Sequence, residues 1–212
     1  AFWSTHHGQA CTTTNTAAVS CMLALLHKRK LLAAHTHVQR STLEQCLLSP
    51  RDLEGRETGD FANHGMDALL RLSRSGRLES RMVPDYAWSL LRENRLDVLP
   101  GTRKPVRPDP GESAHVLQVI RAAAHHYDQV LVDVQSGLEQ EGTEALLSCA
   151  DTLMVCLNQN RRLLESWFAD DALRERLEKP STVFLLSRYD AETELSPAHI
   201  ARKYGVHKER LF

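Results

Sequence analysis

Phe2-Trp3-Ser4-Thr5-His6-His7-Gly8-Gln9-Ala10-Cys11-Thr12-Thr13-Thr14-Asn15 is the stretch that decides the fold of this chain. A short apolar opening runs into a loop of small residues and then into the Thr-rich start of a long apolar helix. That is the strand, loop, helix layout of a phosphate-binding loop. Such a loop works because glycines let backbone N–H groups curl into a concave anion nest, and because a lysine reaches the outer phosphates. Of that chemistry the stretch keeps Gly8 and the hydroxyls of Thr12 and Thr13.

Working outward, composition sets the bounds. The chain has 212 residues, 42% of them hydrophobic and 25% charged, enough for one sizeable core and one domain over 1–212. A formal charge of −1 argues against whole-molecule attraction to nucleic acid or to an anionic membrane, so no sequence-specific nucleic-acid binding is expected. No apolar run reaches the roughly 18 to 20 residues of a membrane-spanning helix. Five cysteines, an odd number without Cys-x-x-Cys spacing, imply neither a disulfide framework nor a zinc clip, and a reducing cytoplasm is expected. Histidines cluster as His6-His7, His35-x-His37 and His125-His126, but they fall in different elements with no carboxylate or thiolate spaced beside them as a ligand set.

Downstream of the loop, short apolar runs alternate with helical stretches. Thr13 to Lys28 has apolar residues at helical spacing and ends in cations that suit a helix C-terminus. Leu31 to Ala34 reads as a buried strand. Ser49 to Phe61 is charged and rich in breakers, hence a loop, and Gly65 to Leu72 reads as a helix. A short helix is expected from Pro84 to Arg92, then a strand from Leu96 ended by Pro100-Gly101. A proline-rich linker follows to Gly111, and a helix runs from Glu112 to Tyr127. Asp128-Gln129-Val130-Leu131-Val132-Asp133-Val134 is a buried parallel strand that delivers an acid at its end. The pattern continues with a helix over Glu139–Cys149, a strand over Asp151–Leu157, one helix over Arg161–Glu178 and a strand over Ser181–Leu186. Ser196-Pro197 caps a final helix, and Leu211-Phe212 begins a further strand, as if the chain were part of a longer one. Strands alternating with helices throughout predict an α/β fold: a mostly parallel, doubly wound sheet in three αβα layers, with a ligand crevice at the strand C-terminal ends.

The opening stretch resembles the deviant Walker A loop of the ParA/MinD-like ATPases, Lys-Gly-Gly-x-Gly-Lys-Thr-Thr. Laid on it without gaps, the signature lysine falls on His6, the glycines on His7, Gly8 and Ala10, the phosphate lysine on Cys11 and the magnesium threonine on Thr12. Tyr127-Asp128-x-Val130-Leu131-Val132-Asp133 is similar to the family's Walker B strand. Gly137 matches its γ-phosphate-sensing loop, and Ser187-Arg188-Tyr189 its Asn-Arg-Tyr base-reading stretch with serine for asparagine. At the end of the second strand, where the family carries Asp-x-Asp-Pro-Gln, this chain has His35, His37, Val38 and Gln39. Phe2-Trp3-Ser4 and Leu99-Pro100-Gly101-Thr102 look most like the lysine-poor TadZ/CpaE-like branch of pilus-localisation factors.

The resemblance implies a P-loop NTPase fold and an ATP-binding, dimer-forming switch protein with slow or absent hydrolysis, working with protein partners of a localisation or assembly system. It implies ATP and Mg as ligands. Gly8, Gln9, Ala10, Cys11, Thr12, Thr13, Ser187 and Arg188 would hold the nucleotide, Thr12 and Asp133 the metal, and Asp133 would be the catalytic-type acid. Two other readings compete. The lost lysines, the histidines in place of aspartates and the lost asparagine suit a scaffold that keeps the fold and binds no nucleotide. Cys11 at a helix N-terminus with His6 or His7 nearby suits a thiol nucleophile.

Overall fold

In the computed structural model, residues 1–37, 41–57, 64–91, 95–102, 110–140 and 142–212 are described. Seven strands form one sheet: β1 (Phe2–Trp3), β2 (Leu31–His35), β3 (Trp88–Ser89), β4 (Leu96–Val98), β5 (Gln129–Asp133), β6 (Met154–Asn158) and β7 (Val183–Ser187). Their order is β3-β4-β2-β5-β1-β6-β7, parallel everywhere except the β3–β4 edge pair. Helices α1 (Thr12–Leu26), α2 (Leu43–Leu47), α3 (Pro50–Glu57), α4 (Gly65–Arg74), α5 (Pro110–Ala124), α6 (Thr143–Cys149), α7 (Arg161–Phe168), α8 (Asp171–Leu177) and α9 (Pro197–Tyr204) supply the crossovers and the outer layers. The α/β architecture expected from the sequence is the one observed.

The buried strands show why. Along β2 every residue is buried, and the side chains alternate between two cores. Leu31 and Ala33 join the cluster packed on α1, while Leu32 and Ala34 join Met66, Leu69 and Leu70 of α4 and Val119 and Ala123 of α5. A strand with helices on both faces has no solvent side, so it reads as an unbroken apolar run. The sheet's other half is filled by Trp3, Trp167 and Phe184, each no more than 1% exposed, and Trp167 meets both of the others edge to face.

Four sequence expectations need correction. Ser49 to Phe61 is not a loop throughout, because α3 occupies Pro50–Glu57. Ser49 Oγ accepts from the Asp52 amide at 3.2 Å and donates to Asp52 Oδ2 at 2.6 Å, so Ser-Pro-x-Asp is an N-cap with proline in the first turn. The helix expected from Pro84 is a 3-10 turn over Ser80–Tyr86 followed by β3, which pairs antiparallel with β4. The helix expected over Arg161–Glu178 is two, because the Asp170 carboxylate accepts from the Leu173 amide at 2.9 Å and starts α8 afresh. The helix expected from Glu139 starts only at Thr143, after left-handed Gly142. The final strand is present in outline, with Leu211 bridged in parallel to Phe184. Val38 and Gln39, residues 103–109 of the linker, and the end of the 49–61 segment lie outside the described residues.

The parallel strands all point their C-terminal ends at one rim, where the loops after β1, β2, β4, β5, β6 and β7 converge. The order in which strands are laid down switches sides at β1, with β5 on one flank and β6 on the other, the position where such sheets open a crevice. A cavity of about 490 Å3 beside Ala1, Val19, Leu131 and Leu146 lies at the opposite end of the strands, and none of the loop residues lines it.

Candidate functional site

The loop from β1 to α1 is held from outside by its own carbonyls. Asn158, at the end of β6, donates to Gln9 O at 2.9 Å, and Ser187, at the end of β7, donates to Ala10 O at 2.9 Å. Asn15, one turn into α1, donates to Ser187 Oγ at 2.7 Å. Among the described residues the amides of Gly8 to Cys11 make no close bond to a backbone carbonyl beyond the turn over residues 7–9. Helix α1 has no acid in its first turn and no side-chain cap, so its leading N–H groups and partial positive charge face the rim. With carbonyls turned out and an uncapped helix start behind it, the loop has the form that suits an anion.

Two residues give the loop its curvature, Gly8 at φ +74° and Cys11 at φ +53°. Left-handed backbone is where glycine belongs, so Cys11, and not Ala10, stands at the last glycine of the motif. The contact with the acid also falls one residue later than expected. Thr13 Oγ1 donates to Asp133 Oδ2 at 2.6 Å, whereas Thr12 is buried and faces the Cys156 thiol. The hydroxyl beside the acid is therefore Thr13, one residue later than the Thr12 that the gapless match suggests.

Asp133 is fully buried, and its Oδ1 has no hydrogen-bond partner. Around Oδ2 stand Thr13, the His37 Nε2 at 3.0 Å without hydrogen-bond alignment, and Ser41 Oγ at 3.5 Å. A buried carboxylate with one oxygen unpartnered is costly unless something completes it. A hard cation shared with the Thr13 hydroxyl and water suits that oxygen, so the residues present fit magnesium. Among the described residues no three His, Cys, Asp or Glu side chains converge as an all-protein metal cage.

Neither histidine at the end of β2 is exposed. His35 is 4% exposed, and its Nδ1 accepts from the His37 amide at 3.3 Å, which leaves Nε2–H to donate to Glu44 Oε1 at 3.2 Å. The Gly101 amide donates to the same oxygen at 2.8 Å. For Glu44, burial raises the pKa, but the hydrogen bonds from His35 and the Gly101 amide outweigh it and hold the carboxyl below its usual range. A depressed carboxyl stabilises the fold above its unfolded pKa and loses that contribution as pH falls through the folded one. Glu44→Gln is thus expected to flatten the fall in urea midpoint below about pH 4.3. Gly101 is fixed by space, since a Cβ there would lie 2.0 Å from the His35 ring. Gly101→Ala should cost about 1 to 3 kcal/mol in urea unfolding, the usual price of overpacking.

Ser187 and Gly137 do not stand free for a ligand. Ser187 is 9% exposed, and its hydroxyl is taken up between Asn15 and Ala10 O, so it braces the loop. The Gly137 amide donates to Ser4 O at 2.9 Å and its carbonyl accepts from Trp3 Nε1 at 3.0 Å, so this glycine ties β5 to β1. Arg188, also left-handed at φ +52°, is exposed and donates from Nε to Cys11 Sγ at 3.2 Å. Beneath the loop, burial pushes the Cys156 thiol up to about 12. Cys156 should therefore resist alkylation at pH 8 until the protein unfolds, while exposed Cys46 and Cys149 react at once, a difference that mass spectrometry reads.

At the level of sequence, no protein-family model and no curated protein matches the chain. Solved structures do. A ParA family ATPase from Chlorobium tepidum TLS superposes with a TM-score of 0.74 at 18% identity, covering 96% of this chain and 79% of that one. MinD complexed with Mg-ADP from Pyrococcus horikoshii OT3 gives 0.69 at 22% identity, over 97% and 76%. A putative plasmid partition protein from Borrelia burgdorferi B31 bound to AMPPNP gives 0.67 at 11%, over 99% and 81%. A seven-stranded, mostly parallel sheet and a phosphate-type loop leading into α1 thus place this chain in the fold of the ParA and MinD ATPases.

Proposed function

We propose that the chain binds ATP with magnesium at the β1–α1 loop and works in the cytoplasm as a dimer-forming, nucleotide-dependent switch, in the positioning or assembly of a cellular machine. One observation carries this reading: the fully buried Asp133, with Oδ1 unpartnered and Oδ2 hydrogen-bonded to Thr13 in the first turn of α1. The amides of Gly8, Gln9, Ala10, Cys11, Thr12 and Thr13 form the phosphate cradle, and Thr13 and Asp133 hold the metal. Similarly folded proteins include MinD with Mg-ADP, a plasmid partition protein with AMPPNP and a MinC:MinD cell division complex, which supports a nucleotide, a partner protein and a positioning role here. Assignment to the pilus-localisation branch rests on the Phe2-Trp3-Ser4 and Leu99-Pro100-Gly101-Thr102 runs. Hydrolysis is slow in this account, because the end of β2 offers His35, tied to Glu44, and His37, leaning on Asp133, where a carboxylate would orient water.

A second reading has its own observation. His37 Nε2 stands 3.0 Å from Asp133 Oδ2 and, when charged, would itself offset the buried carboxylate, as a scaffold without nucleotide requires. Equilibrium dialysis with ATP and ADP in excess magnesium separates the two. The switch account expects saturable binding of one nucleotide per chain in the micromolar range or weaker, and the scaffold account expects none at millimolar concentration.

A further inference from the structure

The cradle lacks the lysine that neutralises phosphate charge, since no residue from Ser4 to Asn15 is a lysine. The cation nearest the loop comes from elsewhere in the chain. Arg188 follows β7, on the far side of the loop from α1's own sequence, and its Nε lies 3.2 Å from Cys11 Sγ at the N-cap of α1. Among the described residues no carboxylate pairs with it. Arg188 and Cys11 are the two non-glycine residues with positive φ among those described, and they touch each other. The β7 end is locked to the loop independently of Arg188, through Ser187 Oγ on Ala10 O and Asn15 on Ser187, so the guanidinium is carried on a rigid mount.

On the reading of the site given above, we propose that Arg188 supplies the missing phosphate cation, reaching the phosphate chain of a nucleoside triphosphate from the β7 side. Two observations point to a ligand between these groups. The first turn of α1 has no side-chain cap and no acid beside its leading amides, and Oδ1 of the fully buried Asp133, at the end of the strand next to β1, has no hydrogen-bond partner. An anion and its counter-cation complete both at once. A planar guanidinium also suits the task, because its forked donors match two phosphate oxygens where a lysine offers a point charge.

Arg188→Gly tests this without the ambiguity of a misfolded variant, since glycine relieves the left-handed backbone and removes only the side chain. Binding of ATP, inorganic pyrophosphate and adenosine is measured by calorimetry in magnesium, with the thermal unfolding midpoint as a control. The expected result is an unchanged or higher midpoint, a loss of about 10- to 100-fold in affinity for ATP and pyrophosphate, and no change for adenosine. Arg188→Lys should retain phosphate affinity to within about threefold to tenfold. Wild-type-like pyrophosphate and ATP binding by Arg188→Gly would overturn the role of Arg188 while leaving the nucleotide reading intact. Failure of the wild type to bind either ligand would overturn both.

Discussion

Asp133→Asn is expected to bind magnesium nucleotide at least about 30-fold more weakly than the wild type, while its binding of nucleotide in EDTA changes little. The reasoning starts from the carboxylate's surroundings. Asn keeps the shape of Asp133, so the fully buried strand end stays packed and Thr13 retains an acceptor. What disappears is the charge on the oxygen left without a partner. A hard cation loses a carboxylate ligand and cannot replace it with an amide at equal strength. Loss confined to the magnesium-dependent part of the affinity therefore identifies a metal role, and equal loss with and without magnesium would identify a structural one.

Trp3→Ala should cost about 3 to 5 kcal/mol in urea unfolding, the largest effect on stability expected here. Trp3 is 1% exposed in the two-residue strand at the centre of the sheet, packs edge to face on Trp167 at 5.9 Å, and donates from Nε1 to Gly137 O at 3.0 Å. Truncation leaves a cavity between β1 and α7 and an unpaired carbonyl in the loop after β5. Trp3→Phe keeps most of the volume and separates the two contributions: a cost well under half that of alanine would assign most of the effect to packing.

The fold was legible because its strands are buried on both faces. Leu31–Ala34 and Val130–Val132 read as unbroken apolar runs, and the acid that ends the second of them falls at the rim as expected. Caps explain most of the local misses. Ser49-Pro50 starts a helix by the same chemistry as Ser196-Pro197, but its charged surroundings disguise it, and Asp170 breaks an otherwise continuous helical periodicity. The site was legible only to within one residue. Left-handed backbone shows in a sequence when glycine carries it, and at Cys11 another residue carries it, so spacing alone points to Thr12 where the structure sets Thr13 beside the acid. The braces Asn15 and Asn158, and the bonding of Ser187 and His35, depend on contacts between distant strand ends, for which local spacing gives no signal.

The central claim is that a cation completes Asp133 when phosphates fill the loop above it. Its most direct test is a calorimetric titration of ATP into the wild type, once in magnesium and once in EDTA. The account predicts one site per chain with affinity at least about tenfold higher in magnesium. Equal affinity in the two buffers, or no binding in either, would contradict it.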